Sequence, residues 1–256
     1  MEGCHHCHSP GTLYVVGTGP GGLKHLTPAA RDALACVEVI VGYQTYLDLI
    51  PELLVGKEVL SSRMMQEVER ARQCLGLAAS GKKVALVSGG DPGIYAMAGL
   101  VFELARERND SVRIEVIPGI AALNACAARL GAPLMHDFAA ISLSDLLTPW
   151  PLIEKRLTAA AAADFVIVLY NPKSKKRTAH IERAREIVLA HRGPETPVGI
   201  VTAATRENEV VTLTTLDTML AAEITMQSCV IIGNSSTFAW RDFMVTPRGY
   251  SGKYAL

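Results

Sequence analysis

The chain has 256 residues, 49% of them hydrophobic, enough for one large domain or two modest ones, each with its own core. Its 25 basic and 25 acidic residues cancel to zero formal charge. That removes the basic excess needed to neutralise a nucleic-acid backbone, so no nucleic-acid partner is expected. Mean hydropathy is positive, yet no apolar run approaches the roughly 20 residues of a membrane helix, and no membrane association is expected.

At the start of the chain, Cys4-His5-His6-Cys7-His8 formally matches the C-x-x-C-H haem-attachment pattern and offers soft metal ligands. Met1 to Pro10 lacks the basic and apolar regions of a secretory signal, and no second ligand pair follows at zinc-finger spacing. Residues 1–11 therefore read as a flexible Cys/His-rich tail, no metal site is assigned, and the expected location is cytoplasmic. Cys36, Cys74, Cys126 and Cys229 fall in apolar stretches and read as reduced core thiols.

From Thr12 onward short β-rich runs alternate with helical ones. Leu13 to Val16, Val37 to Val41, Val84 to Val87 and Val112 to Ile117 read as strands of a largely parallel sheet. Thr27-Pro28 is an N-cap with proline at the first helical position, and Met64 to Ala79 carries helix-period apolar residues. After the punctuating Gly131-Ala-Pro133 come strands at Ala139 to Leu143, Asp164 to Tyr170, Val198 to Thr202, Val210 to Thr214 and Cys229 to Ile232. Helices are expected around Ile153 and from Thr178 to Ala190. The fold class is α/β, with an N-terminal domain over 12–134, a C-terminal domain over 135–256, and a cleft between them as the default ligand site.

Three glycine-bearing loops follow strands of the first half. Gly17-Thr-Gly19-Pro-Gly21-Gly22 satisfies G-x-G-x-x-G, which raises an NAD(P)-dependent oxidoreductase as an alternative. Its helix signal waits until Thr27-Pro28, however, and the second strand ends at Val39-Ile-Val-Gly-Tyr43 without the acid that would bind a ribose. Ser88-Gly89-Gly90-Asp91-Pro92-Gly93-Ile94-Tyr95 either lines a cofactor pocket or serves a turn in which Asp91 caps the following helix. Pro118-Gly119-Ile120-Ala121-Ala122 opens an alanine-rich helix. In a parallel sheet the three loops converge on one edge, where open α/β sheets bind ligands.

Together VVGTGPGGLKHLTPAA, SGGDPGIYAM and IPGIAALNACAARLGAPLMHDFAAISLSDLLTPW resemble the tetrapyrrole (corrin/porphyrin) methylase family, over Leu13 to about Gly233. Within it, the run from Gly131 to Trp150 is similar to the branch that methylates precorrin-3B, or its cobalt-bound counterpart, at carbon 17. The resemblance implies a homodimer that methylates a tetrapyrrole using S-adenosylmethionine (SAM), released as S-adenosylhomocysteine, during cobalamin biosynthesis. By motif it carries cofactor contacts onto Pro20, Gly89, Gly90, Asp91, Ile94, Ala121, Ala122, Tyr170, Asn171 and Ala204. Uroporphyrinogen methylases carry an acid after the second-strand tyrosine where this chain has Gln44, which argues against that branch.

A sulfonium methyl is already activated, so an electron-rich carbon needs orientation and desolvation more than a protein nucleophile. Lys173, Lys175, Lys176, Arg177 and Arg206 follow strands of the second half and are candidates to meet the substrate's carboxylates, the alternative for the cluster being a solvated loop. The resembled branch couples methylation to contraction of the macrocycle. His136 and Asp137 are the sequence candidates for its proton transfers, against a purely structural His-Asp pair.

Overall fold

The computed structural model describes residues 11–63, 65–109 and 111–254. Packing divides the chain into two compact units, the first ending at Ala122 and the second beginning at Leu123.

The first unit is built on strands β1 (Thr12–Gly17), β2 (Val39–Tyr43), β3 (Glu58–Ser62), β4 (Lys83–Ser88) and β5 (Arg113–Ile117). They pair in the order β3-β2-β4-β1-β5, every pair parallel. Parallel neighbours require crossovers, supplied by helices α1 (Pro28–Cys36), α3 (Glu67–Ala79) and α4 (Ala98–Arg108), with a single helical turn α2 (Gln44–Leu47) after β2. Helix α1 starts where its sequence signal lies: Thr27 Oγ1 accepts the Ala30 N–H at 3.1 Å, and Pro28 occupies the first turn. Alternation along the strands divides the core. Leu13, Val15, Val39, Val41, Val84 and Leu86 pack under α3 and α4, while Val16, Ile40, Ala85 and Val87 pack under α1. Covered on both faces, these strands read as continuous apolar runs. Strand β3 escapes that signal because it is an edge strand whose Glu58-Val-Leu-Ser-Ser62 has no fully buried residue. Helix α3 begins at Glu67, three residues later than its apolar period implies.

The second unit opens one residue into α5 (Ala122–Leu130), which runs into the two-residue strand β6 (Gly131–Ala132). Its main sheet contains β7 (Phe138–Ser142), β8 (Val166–Tyr170), β9 (Pro197–Thr202), β10 (Val210–Thr215) and β11 (Ser228–Ile232), in the order β10-β9-β11-β8-β7. Only β7 and β8 pair in parallel; the rest are antiparallel. Helices α6 (Trp150–Ala162) and α7 (Ala179–Leu189) bury Ile153, Leu157, Ile181, Ala184 and Val188 against Ile167, Leu169, Ile200 and Val230. Helix α5 packs against other strand residues: a Cβ on Gly199 would strike Leu130, and Cys126 meets Cys229. A hairpin of β12 (Phe238–Trp240) and β13 (Phe243–Val245) adds β6 to make a small three-stranded sheet. These contacts draw α5 and β6 into the second unit, so the division falls before the expected boundary at residue 134.

Among the described residues no helix is long and apolar enough to cross a membrane.

Candidate functional site

In the first unit the chain leaves β1 towards β2 and leaves β4 towards β5, on opposite sides, so the strand order reverses between β1 and β4. The crevice outside the carboxyl ends at such a switch point is the standard ligand position of open α/β sheets. There Gly17 pairs in register with Ser88, and Val16 with Ile117, which brings the three glycine loops to one edge as the sequence implies. The loops interlock. Gly19 and Gly90 exchange backbone hydrogen bonds at 3.1 and 2.7 Å, and Thr18 N–H donates to the Ser88 carbonyl at 2.8 Å. A Cβ on Gly17 would come within 2.7 Å of both Gly119 N and Gly90 O, so glycine here is required by backbone packing. Gly90 supplies the second requirement, a φ of 70°.

Asp91 does not cap a helix, because α4 starts only at Ala98. Its Oδ1 accepts the Gly93 N–H at 2.8 Å and its Oδ2 accepts the Gly119 N–H at 3.1 Å, tying two of the loops together. Around it Gly89, Gly90 and Ala122 are half-buried, Pro20 and Ala121 are buried, and Ile94 lies at the surface. The helix expected of a dinucleotide site is absent at the first glycines: a 3-10 turn at Leu23–His25 intervenes before α1.

In the second unit β8 and β9 both run antiparallel to the intervening β11, so their carboxyl ends share an edge with that of β7. Tyr170 ends β8 and Asn171 follows it, and Ala204 follows β9, on the order of 10 Å away across one strand. The Tyr170 hydroxyl accepts the Leu123 N–H at 2.9 Å, fixing the first turn of α5. Asn171, Ala203 and Thr205 hold positive φ values of 50, 50 and 67°. Each costs on the order of 1–3 kcal/mol in a residue with a Cβ, and such strain clusters at ligand-binding sites.

The same edge carries a polar network that sequence reasoning missed. Asn171 Nδ2 donates to Ser142 Oγ at 3.0 Å; Arg177 donates to the Asn171 carbonyl at 2.8 Å and to Ser144 Oγ at 3.3 Å. His180 stacks on Trp150 with ring centroids 4.0 Å apart, and its Nδ1 lies 3.0 Å from the Leu143 carbonyl. A carbonyl can only accept, so Nδ1 carries the proton and Nε2 faces the Asp145 carboxylate at 3.6 Å, with Arg177 3.9 Å from the other oxygen. The segment from Ser142 to Trp150 was conspicuous in sequence, but its partners lie 29 to 37 residues on, a separation that no local pattern spans.

This arrangement revises the basic cluster. Arg177 is only 12% exposed at its side chain and braces loops, whereas Lys175 and Lys176 are exposed. His136 and Asp137 fare differently from the cofactor candidates. They precede β7, at the end of the sheet opposite Ser142 and Tyr170, roughly 15 Å away along five residues of strand. Asp137 N–H donates to His136 Nδ1 at 2.8 Å, and both side chains are exposed beside a depression lined also by Asp164, Phe165 and Asn234 to Ser236. Next to it, burial lowers the pKa of the Arg192 guanidinium and Asp164 opposes that shift.

Two buried thiols, Cys74 and Cys229, are held in the protonated, unreactive form. Burial pushes Cys74 up to about 12, and a hydrogen bond with Cys126 together with burial raises Cys229 well above its ordinary value. Cys36 is exposed rather than in the core. Among the described residues no group of three or more His, Cys, Asp or Glu side chains could hold a metal. The Cys4 to His8 run lies outside the described residues.

Residues 12–220 match the family model described as Tetrapyrrole (Corrin/Porphyrin) Methylases. A Priestia megaterium protein named cobalt-factor III methyltransferase is 52% identical over 250 residues, which are 96% of this chain and 46% of that protein. The chain thus spans about half the length of that relative. A Salmonella typhimurium protein named probable cobalt-factor III C(17)-methyltransferase is 48% identical over 93% of this chain and 99% of its own length. Among solved structures, that of the methyltransferase CobJ superposes with a TM-score of 0.86 at 37% identity, covering 93% of this chain and all of that one. A Thermus thermophilus uroporphyrin-III C-methyltransferase complexed with S-adenosylhomocysteine gives a TM-score of 0.68 at 25% identity, over 87% of this chain and 97% of that one.

Proposed function

This chain belongs to the tetrapyrrole (corrin/porphyrin) methylase family, and from that premise we propose that it methylates carbon 17 of a corrin precursor with SAM and contracts the macrocycle in the same catalytic cycle. The observation that carries the reading is the 48% identity to the Salmonella typhimurium protein over nearly its whole length. The switch-point edge of the first sheet supports it. We further take the enzyme to act as a homodimer in the cytoplasm, as the family resemblance implies.

The residues fit the donor. Gly89, Gly90 and Asp91 offer half-exposed backbone beside Ile94, and Pro20, Ala121, Ala122 and Ala204 are small or compact enough to leave main-chain groups within reach. Tyr170 and Asn171 complete the proposed contacts. When bound, SAM supplies a methyl on a sulfonium, already electrophilic. What the chain must add is an aligned nucleophilic carbon and exclusion of water.

In this reading the substrate's carboxylates meet Lys173, Lys175, Lys176 and Arg206, with Arg177 holding the loop that presents them. Proton transfer in the contraction falls to Asp145 and His180, which lie at the edge carrying Tyr170 and Asn171, rather than to the distant His136 and Asp137. Anaerobic incubation with SAM and, in parallel, cobalt-factor III and precorrin-3B tests the reading. A singly methylated product with an altered visible spectrum is expected from one of them. SAM binding without turnover of either substrate would retain the donor site and remove the substrate assignment.

A further inference from the structure

Ala204 sits in a turn whose backbone is under strain on both sides, with φ of 50° at Ala203 and 67° at Thr205. A β-branched residue is a poor occupant of left-handed backbone, so something must hold Thr205 there. The turn's own bonds are ordinary: Ala203 N–H to the Gln227 carbonyl at 3.2 Å, Arg206 N–H to the Ala203 carbonyl at 3.0 Å, and Glu209 N–H to the Arg206 carbonyl at 3.1 Å. Two short contacts come from one carboxylate. Glu209 Oε2 accepts the Thr205 N–H at 2.6 Å, and its Oε1 accepts Arg129 Nε at 2.7 Å. Glu209 is 15% exposed at its side chain and Arg129 52%, so the carboxylate is sheltered while its counter-ion reaches it from the surface. Charge-assisted hydrogen bonds of this length are about twice as strong as neutral ones.

Arg129 lies in the last turn of α5, whose first turn is bonded to the Tyr170 hydroxyl through Leu123 N–H. One rigid helix is therefore fastened to both proposed donor-binding segments that follow strands of the second sheet, at Tyr170 directly and at Ala203 to Thr205 through Glu209. A surface ion pair alone contributes little. This one differs because the same carboxylate holds a strained main-chain N–H.

We propose that Glu209, anchored by Arg129, is a positioning residue that holds the Ala203–Thr205 backbone in the conformation that receives the methyl donor. The inference rests on Ala204 being a donor contact, as argued under the proposed function. Its effect is on SAM and S-adenosylhomocysteine affinity, not on the chemistry of transfer.

Calorimetric titration of the full chain with SAM and with S-adenosylhomocysteine, beside thermal unfolding of each variant, tests it. Glu209→Ala is expected to weaken both ligands roughly tenfold, the loss of about one charge-assisted hydrogen bond's stabilisation. Glu209→Gln keeps an acceptor for Thr205 and recovers part of the loss. Arg129→Ala weakens binding by a smaller factor, and the double variant loses no more than Glu209→Ala alone, because the two act through one contact. In turnover, KM for SAM rises while kcat at saturating SAM holds. If Glu209→Ala does not fold, the Glu209→Gln and Arg129→Ala variants carry the test. Wild-type affinity in Glu209→Ala, or in both of those variants, overturns the inference while leaving the donor site intact. Wild-type protein that binds neither ligand overturns the donor-site reading and this inference with it.

Discussion

Replacing Asp91 by Asn probes the loop junction with almost no change in volume. Each carboxylate oxygen accepts one main-chain N–H from a different loop, Gly93 at 2.8 Å and Gly119 at 3.1 Å. An amide can present its oxygen to only one of them, and its NH2 then faces the other N–H, donor against donor. One charge-assisted hydrogen bond is lost and the remaining one becomes neutral. With bonds to charged groups at about 1.5–3 kcal/mol and neutral ones at about 0.5–1.5 kcal/mol, the junction loses roughly 2–4 kcal/mol. Part of this appears as lowered stability and part as a disordered binding surface. If about half bears on the ligand, SAM affinity falls on the order of 10-fold. Titration calorimetry with SAM, paired with thermal unfolding, measures both shares. Asp91→Glu, which keeps the charge but overshoots the two amides by one methylene, is expected to recover little. An Asp91→Asn variant with wild-type SAM affinity and wild-type melting would refute the assignment of Asp91 as the tie between the loops.

Gly17→Ala drives a Cβ to within 2.7 Å of two backbone atoms of neighbouring loops, and overpacking against unyielding main chain is expected to cost about 1–3 kcal/mol, read as a lower melting temperature. Asp145→Asn and His180→Gln are each expected to slow contraction at least tenfold relative to methyl transfer, whereas His136→Ala and Asp137→Asn leave both rates unchanged; product mass and spectrum in single turnovers distinguish the outcomes. Because burial raises Cys74 from 9.0 to about 12, its stabilising contribution is complete below pH 9 and is lost as pH rises from 9 towards 12. Stability should therefore fall by about 1.4 kcal/mol per pH unit in that window, followed by denaturant titration, and Cys74→Ala should flatten the slope. In the native protein Cys36 should be alkylated well before Cys74, Cys126 or Cys229, as peptide mass mapping would show.

The first unit was legible in sequence because its buried parallel strands and capped helices are written locally. Val84 to Val87 is a continuous apolar run, and Thr27-Pro28 marks the start of α1 within one residue. Strand β3 was illegible for the opposite reason, being a mostly exposed edge with no alternation. The small sheet of β6, β12 and β13 escaped because its strands have only two or three residues, and β6 joins the β12–β13 hairpin by pairing across 113 positions of chain.

The site was legible where the chemistry lies in the backbone. Glycine spacing located the three loops at one edge, but it does not distinguish Gly17 and Gly119, which serve loop packing, from Gly89 to Asp91, which remain half-exposed. It was illegible where function depends on which end of a strand a residue occupies. His136-Asp137 and Ser142 to Asp145 flank the same five-residue strand, and only the sheet shows that the latter group shares an edge with Tyr170 and Asn171. The bracing by Glu209 was likewise hidden, since its partner Arg129 lies 80 residues earlier.

The most direct test of the account is anaerobic turnover of SAM with cobalt-factor III and precorrin-3B in parallel, following S-adenosylhomocysteine, product mass and visible spectrum together. The account predicts one methyl added at carbon 17, one equivalent of S-adenosylhomocysteine and a spectral change that marks ring contraction, on one of the two substrates. A methyl placed on a different carbon, or S-adenosylhomocysteine formed with neither substrate, would contradict it.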